Sequence, residues 1–137
     1  MTVETTELTL PSRIETVAAA AAAVAEFMSR SGVSDDAAFG IDMAVREAVT
    51  NAVVHGNSQA EDKVVDIVLK SSPDAVEISV HDQGPGFNPS EVPDPTAEEN
   101  ILKTSGRGIF FMRSFMDEVV WSLPPEGGTT VRMLKRR

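Results

Sequence analysis

A chain of 137 residues, with 42% apolar and 24% charged side chains, suffices for one compact domain around one core and is too apolar for wholesale disorder. Its net charge of −9 argues against a nucleic-acid binder, because a phosphate backbone demands a basic surface. The absence of cysteine excludes disulfides, thiolate metal sites and cysteine nucleophiles.

Met1, Thr2, Val3 and Glu4 lack the basic and apolar regions of a signal peptide. The longest apolar run, Val17 to Ala25, is alanine-dominated and too short to span a bilayer. A cytoplasmic protein without a membrane partner is expected. The basic cluster Lys135, Arg136 and Arg137 reads as a solvated end.

Residues 3–10, with Leu8 and Leu10 on one face, predict a first strand. Ser12 and Glu15 have the spacing of a capping box, which predicts a helix starting there. Its apolar stripe is Ile14, Val17, Ala21, Val24 and Met28, and Gly32 ends it. Ser34 predicts the cap of a second helix running from about Asp35 to His55, with Asp35 and Asp36 favourable in its first turn. Ile41, Ala44, Ala48 and Ala52 supply its buried face, and Gly56-Asn57 stops it.

Residues 63–70 and 75–81 predict a hairpin turning at Ser72-Pro73-Asp74, with Val76, Ile78 and Val80 facing a core. Residues 82–105 are too long and too broken for a simple connector, which points to a lid or binding loop. A helix is expected from about Gly108 to Met116. A final hairpin pairs Val119–Leu123 with Thr129–Leu134 around Pro124-Pro125-Glu126-Gly127-Gly128. No repeat or linker divides the chain, so residues 1–137 are expected to form one α+β sandwich, a sheet with helices on one face.

Three segments carry chemistry. Glu47, Asn51 and His55 recur every four residues, so a helix stacks them along one side. Glutamate can deprotonate an attacking hydroxyl, and asparagine offers a neutral oxygen to magnesium. Taken alone, the same triplet is also the solvent face of an amphipathic helix, with His55 complementing the helix dipole. Asp82-Gln83-Gly84-Pro85-Gly86-Phe87 follows a predicted strand. A carboxylate there can accept a hydrogen bond from the exocyclic amine of adenine and would repel the carbonyl of guanine. A tight turn with an ordinary turn-forming aspartate has the same pattern. Thr104-Ser105-Gly106-Arg107-Gly108 opens a helix, where exposed N–H groups and Arg107 suit a phosphate, and where a hinge with an N-cap would look alike. No P-loop, dinucleotide fingerprint or protein-kinase signature is present.

Glu-x-x-x-Asn-Ala-x-x-His, then Asp-x-Gly-x-Gly, then Gly-x-Gly, in this order, resembles the pattern of the GHKL ATPases over residues 40–134. The resemblance implies the Bergerat fold, a two-layer α/β sandwich with a mixed, mostly antiparallel sheet, binding ATP with Mg²⁺ under a lid at about residues 88–105. It makes Glu47, Asn51 and His55 the N-box, with Asn51 as metal ligand and Glu47 as catalytic base. Asp82, Gly84 and Gly86 match the first glycine box, and Gly106 and Gly108 the second, with Thr104, Ser105 and Arg107 beside them. Gly128-Thr129 resembles a late element whose hydroxyl supports the adenine-binding aspartate through water.

Residues 101–119 (ILKTSGRGIFFMRSFMDEV) look most like the RsbW-like anti-sigma-factor serine kinases. That resemblance implies a homodimer that binds a sigma factor or another regulated protein, or instead phosphorylates a Ser or Thr on a STAS-domain anti-anti-sigma protein. A non-catalytic ATP-binding module is the alternative. A detached histidine-kinase ATPase domain is another, against which His55 and His81 both lie inside the domain.

Overall fold

The computed structural model describes residues 4–56, 63–83, 112–122, 124–125 and 127–136. In chain order they form β1 (Glu4–Pro11), α1 (Thr16–Arg30), α2 (Asp35–Thr50), a π-helical turn (Asn51–Gly56), β2 (Val64–Ser71), β3 (Ala75–His81), β4 (Glu118–Ser122) and β5 (Thr130–Arg136). A short helical segment spans 112–115. No helix among the described residues is long and apolar enough to cross a membrane.

The helices start and stop for local reasons that the sequence only partly exposes. Ser34 caps α2 as expected: its hydroxyl accepts from Ala37 N at 3.3 Å, with Asp35 and Asp36 in the first turn. Gly32, at φ 68, closes α1. Val33 N donates to Met28 O at 3.1 Å and Gly32 N to Ser29 O at 3.3 Å, which satisfies the last carbonyls as a left-handed cap does.

The expected capping box at Ser12 and Glu15 does not form. α1 begins only at Thr16 and has no side-chain cap. Ser12 is instead tied to the sheet, its N–H donating to Lys63 O at 3.1 Å, and its buried hydroxyl has no partner among the described residues. The tertiary hydrogen bond holds Ser12 beside the start of β2 and delays the helix. Ile14, assigned to the apolar stripe, is consequently exposed.

The sheet has five strands in the order β1-β2-β3-β5-β4. Every described pairing is antiparallel, in keeping with the mostly antiparallel sheet expected. Two helices separate β1 from β2, so the chain re-enters the sheet at the end it left, with Pro11 opposite Val64. The β2–β3 hairpin closes as read, Ser72 N donating to Ala75 O at 2.9 Å.

Alternation sends Val65, Ile67 and Leu69 of β2, Val76, Ile78 and Val80 of β3, and Val131 and Met133 of β5 into one core. There they meet Ala20, Val24 and Phe27 of α1 and Ile41, Ala44, Val45, Ala48 and Val49 of α2. Each fully buried branched or aromatic side chain contributes about 1.5–3 kcal/mol by leaving water. Among the described residues the helices cover this face alone, giving the two-layer α+β sandwich.

Alanines on α1 and α2 let the two helices and the sheet approach closely. Gly40 does the same for the segment at 112–115, since a Cβ there would meet Phe115 O at 3.3 Å. Phe39 and Phe115 stack edge to face beside it, ring centroids 5.9 Å apart.

Candidate nucleotide site

β3 lies in the middle of the sheet and ends at His81, so Asp82 leaves its C-terminal end next to the core. Only 7% of Asp82 is exposed, and a buried carboxylate must be hydrogen-bonded to persist. Asp82 N donates to Thr129 O at 3.0 Å, and Thr129 N donates back to Asp82 Oδ1 at 3.3 Å. Thr129 is itself buried. The first residue of the expected glycine box and the late Gly-Thr element thus meet directly, through backbone as well as side chain.

Gly128 makes that meeting possible. At φ 79 it sits so close to Asp82 that a Cβ would lie 1.9 Å from the Asp82 carbonyl oxygen. Gly127 sets up the turn, with φ 99 and its N–H on Pro124 O at 2.9 Å. Sequence reasoning placed Gly128 in the turn of the final hairpin and, with Thr129, in the late element of the resemblance. The Gly-Gly pair signals a turn, but nothing local reveals which carbonyl it approaches.

Glu47 and Asn51 lie on α2 and at its end, both half-buried, beside the fully packed Ala44, Ala48 and Val49. Asn51 N–H bonds the carbonyls of both Ala48 and Glu47, so one turn separates the two side chains. This places them on one flank, as their spacing predicts. α2 packs on β3 and β5, the two strands that deliver Asp82 and Thr129. The carboxylate–amide pair and the buried aspartate therefore belong to adjoining elements of one core.

The α-helix does not reach His55. From Asn51 to Gly56 the backbone winds as a π-helix, which corrects the single helix expected to His55. The spacing-by-four argument holds from Glu47 to Asn51 and not beyond, because a π turn takes one more residue per hydrogen-bonded ring. Such bulges are common at functional sites. The His55 side chain lies outside the described residues, as do Gly84, Gly86, Thr104, Ser105, Gly106, Arg107, Gly108 and the expected lid at 88–105. The expected helix from Gly108 is described only at 112–115, and β4 ends at Ser122.

A half-buried glutamate and asparagine on the helix layer and a buried aspartate at a central strand end thus stand together in a two-layer α+β sandwich. The chain belongs to the histidine kinase-like ATPase domain family, whose model matches residues 10–135.

Among its relatives, the anti-sigma F factor of Clostridium botulinum (strain Eklund 17B / Type B) is 33% identical over 127 residues, covering 91% of this chain and 89% of the relative. The serine-protein kinase RsbW of Staphylococcus epidermidis is 33% identical over 136 residues, covering 94% and 84%. The anti-sigma F factor of Oceanobacillus iheyensis is 35% identical over 133 residues, covering 94% and 90%. Among solved structures, a mycobacterial sensor histidine kinase, MprB, superposes with a TM-score of 0.56 over 98% of this chain and 97% of that one. At 17% identity it speaks for the fold alone.

Proposed function

We propose that this protein is an ATP-dependent serine/threonine kinase and anti-sigma-type regulator that phosphorylates a STAS-domain antagonist in a partner-switching pathway. The observation that carries the reading is Asp82, buried at the end of the central strand with Thr129 N–H on its carboxylate, beside a helix that retains Glu47 and Asn51. Relatives named anti-sigma F factor and serine-protein kinase support the class of activity.

The residues fit an adenine nucleotide by their chemistry. Asp82 offers an acceptor to the adenine amine, and guanine presents a carbonyl at that place. Asn51 supplies a neutral oxygen for Mg²⁺, which usually keeps few protein ligands alongside phosphates and water. Glu47 accepts the proton of the partner's hydroxyl as that oxygen attacks the γ-phosphorus, and ADP leaves with the bridging oxygen. In this reading His55 lines the site. Gly84, Gly86, Thr104, Ser105, Gly106, Arg107 and Gly108 cradle the phosphates beneath a lid at 88–105. The protein acts in the cytoplasm as a homodimer, holding a sigma factor or another regulated protein when the antagonist is not engaged.

The test is transfer of labelled phosphate from ATP, with Mg²⁺, to candidate STAS proteins. Phosphoserine or phosphothreonine on one of them is the expected result. Tight nucleotide binding without transfer to any cognate partner would replace the kinase by an ATP-set binding module. Phosphohistidine on another protein would point to a histidine-kinase role.

A further inference from the structure

The last residue of β3 has no role in the reading above, yet it stands where the aspartate's position is decided. His81 is half-buried on the sheet face opposite the helices, between Asp66 of β2 and Thr130 of β5 in the register. Its Nδ1 lies 2.8 Å from Thr130 Oγ1, so a hydrogen bond joins the ends of β3 and β5 one residue away from both Asp82 and Thr129. The same ring edge lies near the glycine turn: a Cβ on Gly128 would lie 3.0 Å from His81 Cε1. The His81 ring and the Asp82 carbonyl thus both border the space into which a Gly128 side chain would project. Asp66, the neighbour on the other side, is engaged by Thr9, whose hydroxyl donates to Asp66 Oδ1 at 2.9 Å.

The turn is tied to the end of β3 by the Asp82–Thr129 bonds and by the His81–Thr130 bond, which restricts its freedom to shift. The 3.3 Å bond from Thr129 N to Asp82 Oδ1 is long for an N–H···O bond, so small movements of the turn would change how the carboxylate is aimed. A specificity group acts only if held to within about 0.5 Å by the shell behind it.

We propose that His81 is a positioning residue for the adenine pocket, fixing the Gly128-Thr129 turn through Thr130 and thereby setting the preference for ATP over GTP. The proposal rests on Asp82 being the adenine acceptor. His81 touches neither nucleotide nor metal in it. Its effect travels through the hydrogen bond to Thr130 and from there along the turn to Asp82.

Calorimetric titration of the full chain with ATP and with GTP, each with Mg²⁺, tests it on His81→Leu, His81→Asn, Thr130→Val and Asp82→Ala. Leucine keeps the bulk without the hydrogen bond. Asparagine restores a polar atom near the Nδ1 position. Valine is isosteric with threonine and suits a strand. Loss of one hydrogen bond corresponds to about three- to tenfold in affinity. His81→Leu and Thr130→Val are expected to raise the ATP Kd by about that factor while leaving the GTP Kd within about twofold, and His81→Asn to recover ATP binding. If both nucleotides weaken together, or the ATP-to-GTP ratio stays unchanged while Asp82→Ala abolishes it, the role assigned to His81 is wrong and the Asp82 reading stands. If Asp82→Ala leaves the ratio intact as well, both fall. Thr130→Val decides the matter should a His81 variant not fold.

Discussion

Asp82 and Thr129 hold each other at two points: the N–H of Asp82 donates to the Thr129 carbonyl at 3.0 Å, and the N–H of Thr129 donates to the Asp82 carboxylate at 3.3 Å. The first bond extends the pairing of β3 with β5 by one step. The second turns a strand end into a fixed carboxylate.

Gly128→Ala should damage both fold and site. The new Cβ would fall 1.9 Å from the Asp82 carbonyl oxygen, and the backbone is left-handed at φ 79. A loss of at least about 2 kcal/mol of stability is expected in urea unfolding, with ATP affinity down by about tenfold or more. Gly127→Ala is the control. It is also left-handed, at φ 99, but a Cβ there meets nothing within 4 Å, so only the backbone strain of about 1–2 kcal/mol should be felt. Equal effects at the two positions would mean that the approach to Asp82 is unimportant.

Glu47→Gln should leave nucleotide binding within about threefold and lower the rate of phosphate transfer by about 10²–10⁴, the usual contribution of a positioned general base. Parallel titration and single-turnover transfer assays separate the two. Glu47 is half-buried on the flank of α2, outside the core proper, so the substitution should not unfold the protein. Transfer at the wild-type rate would remove Glu47 from the chemistry.

Asn51→Ala should act through the metal. ATP binding measured in EDTA is expected to match the wild type, while the gain in affinity on adding Mg²⁺ disappears. Because Asn51 begins the π turn, a circular dichroism spectrum at matched concentration should accompany the titration. Wild-type affinity of Asn51→Ala for ATP in Mg²⁺ would refute the assignment.

Ser34→Ala and Ser12→Ala should differ, although both serines precede helices. Ser34 Oγ accepts the Ala37 N–H, and its loss should cost about 1 kcal/mol. Ser12 Oγ is buried with no partner among the described residues, so removing it should be neutral or stabilising by about 0.5–1 kcal/mol. Equal destabilisation by both in chemical denaturation would restore a capping role to Ser12.

The contrast between those serines shows where the sequence stops being readable. Both sit in good capping patterns. At Ser34 nothing competes, and the cap forms. At Ser12 a backbone bond to Lys63, far along the chain, takes the residue into the sheet before the helix can begin. The end of α2 behaves likewise: periodicity from Ile41 to Ala52 marks the buried face correctly, but it cannot distinguish an α turn from the π turn that starts at Asn51.

By itself the sequence determined the helices and strands of the described residues within a few positions, the β2–β3 and β4–β5 hairpins, the core face of β3, and the presence of Glu47, Asn51 and Asp82 in an ordered pattern. Those features depend on hydrophobic period, turn residues and caps, which act over a few neighbouring residues. Tertiary structure alone decided that all the described strand pairs run antiparallel, that Gly128 abuts the Asp82 carbonyl, and that His81 hydrogen-bonds Thr130 beside that turn. Those depend on residues nearly fifty positions apart being brought within hydrogen-bond reach, which only the packing of one common core can arrange.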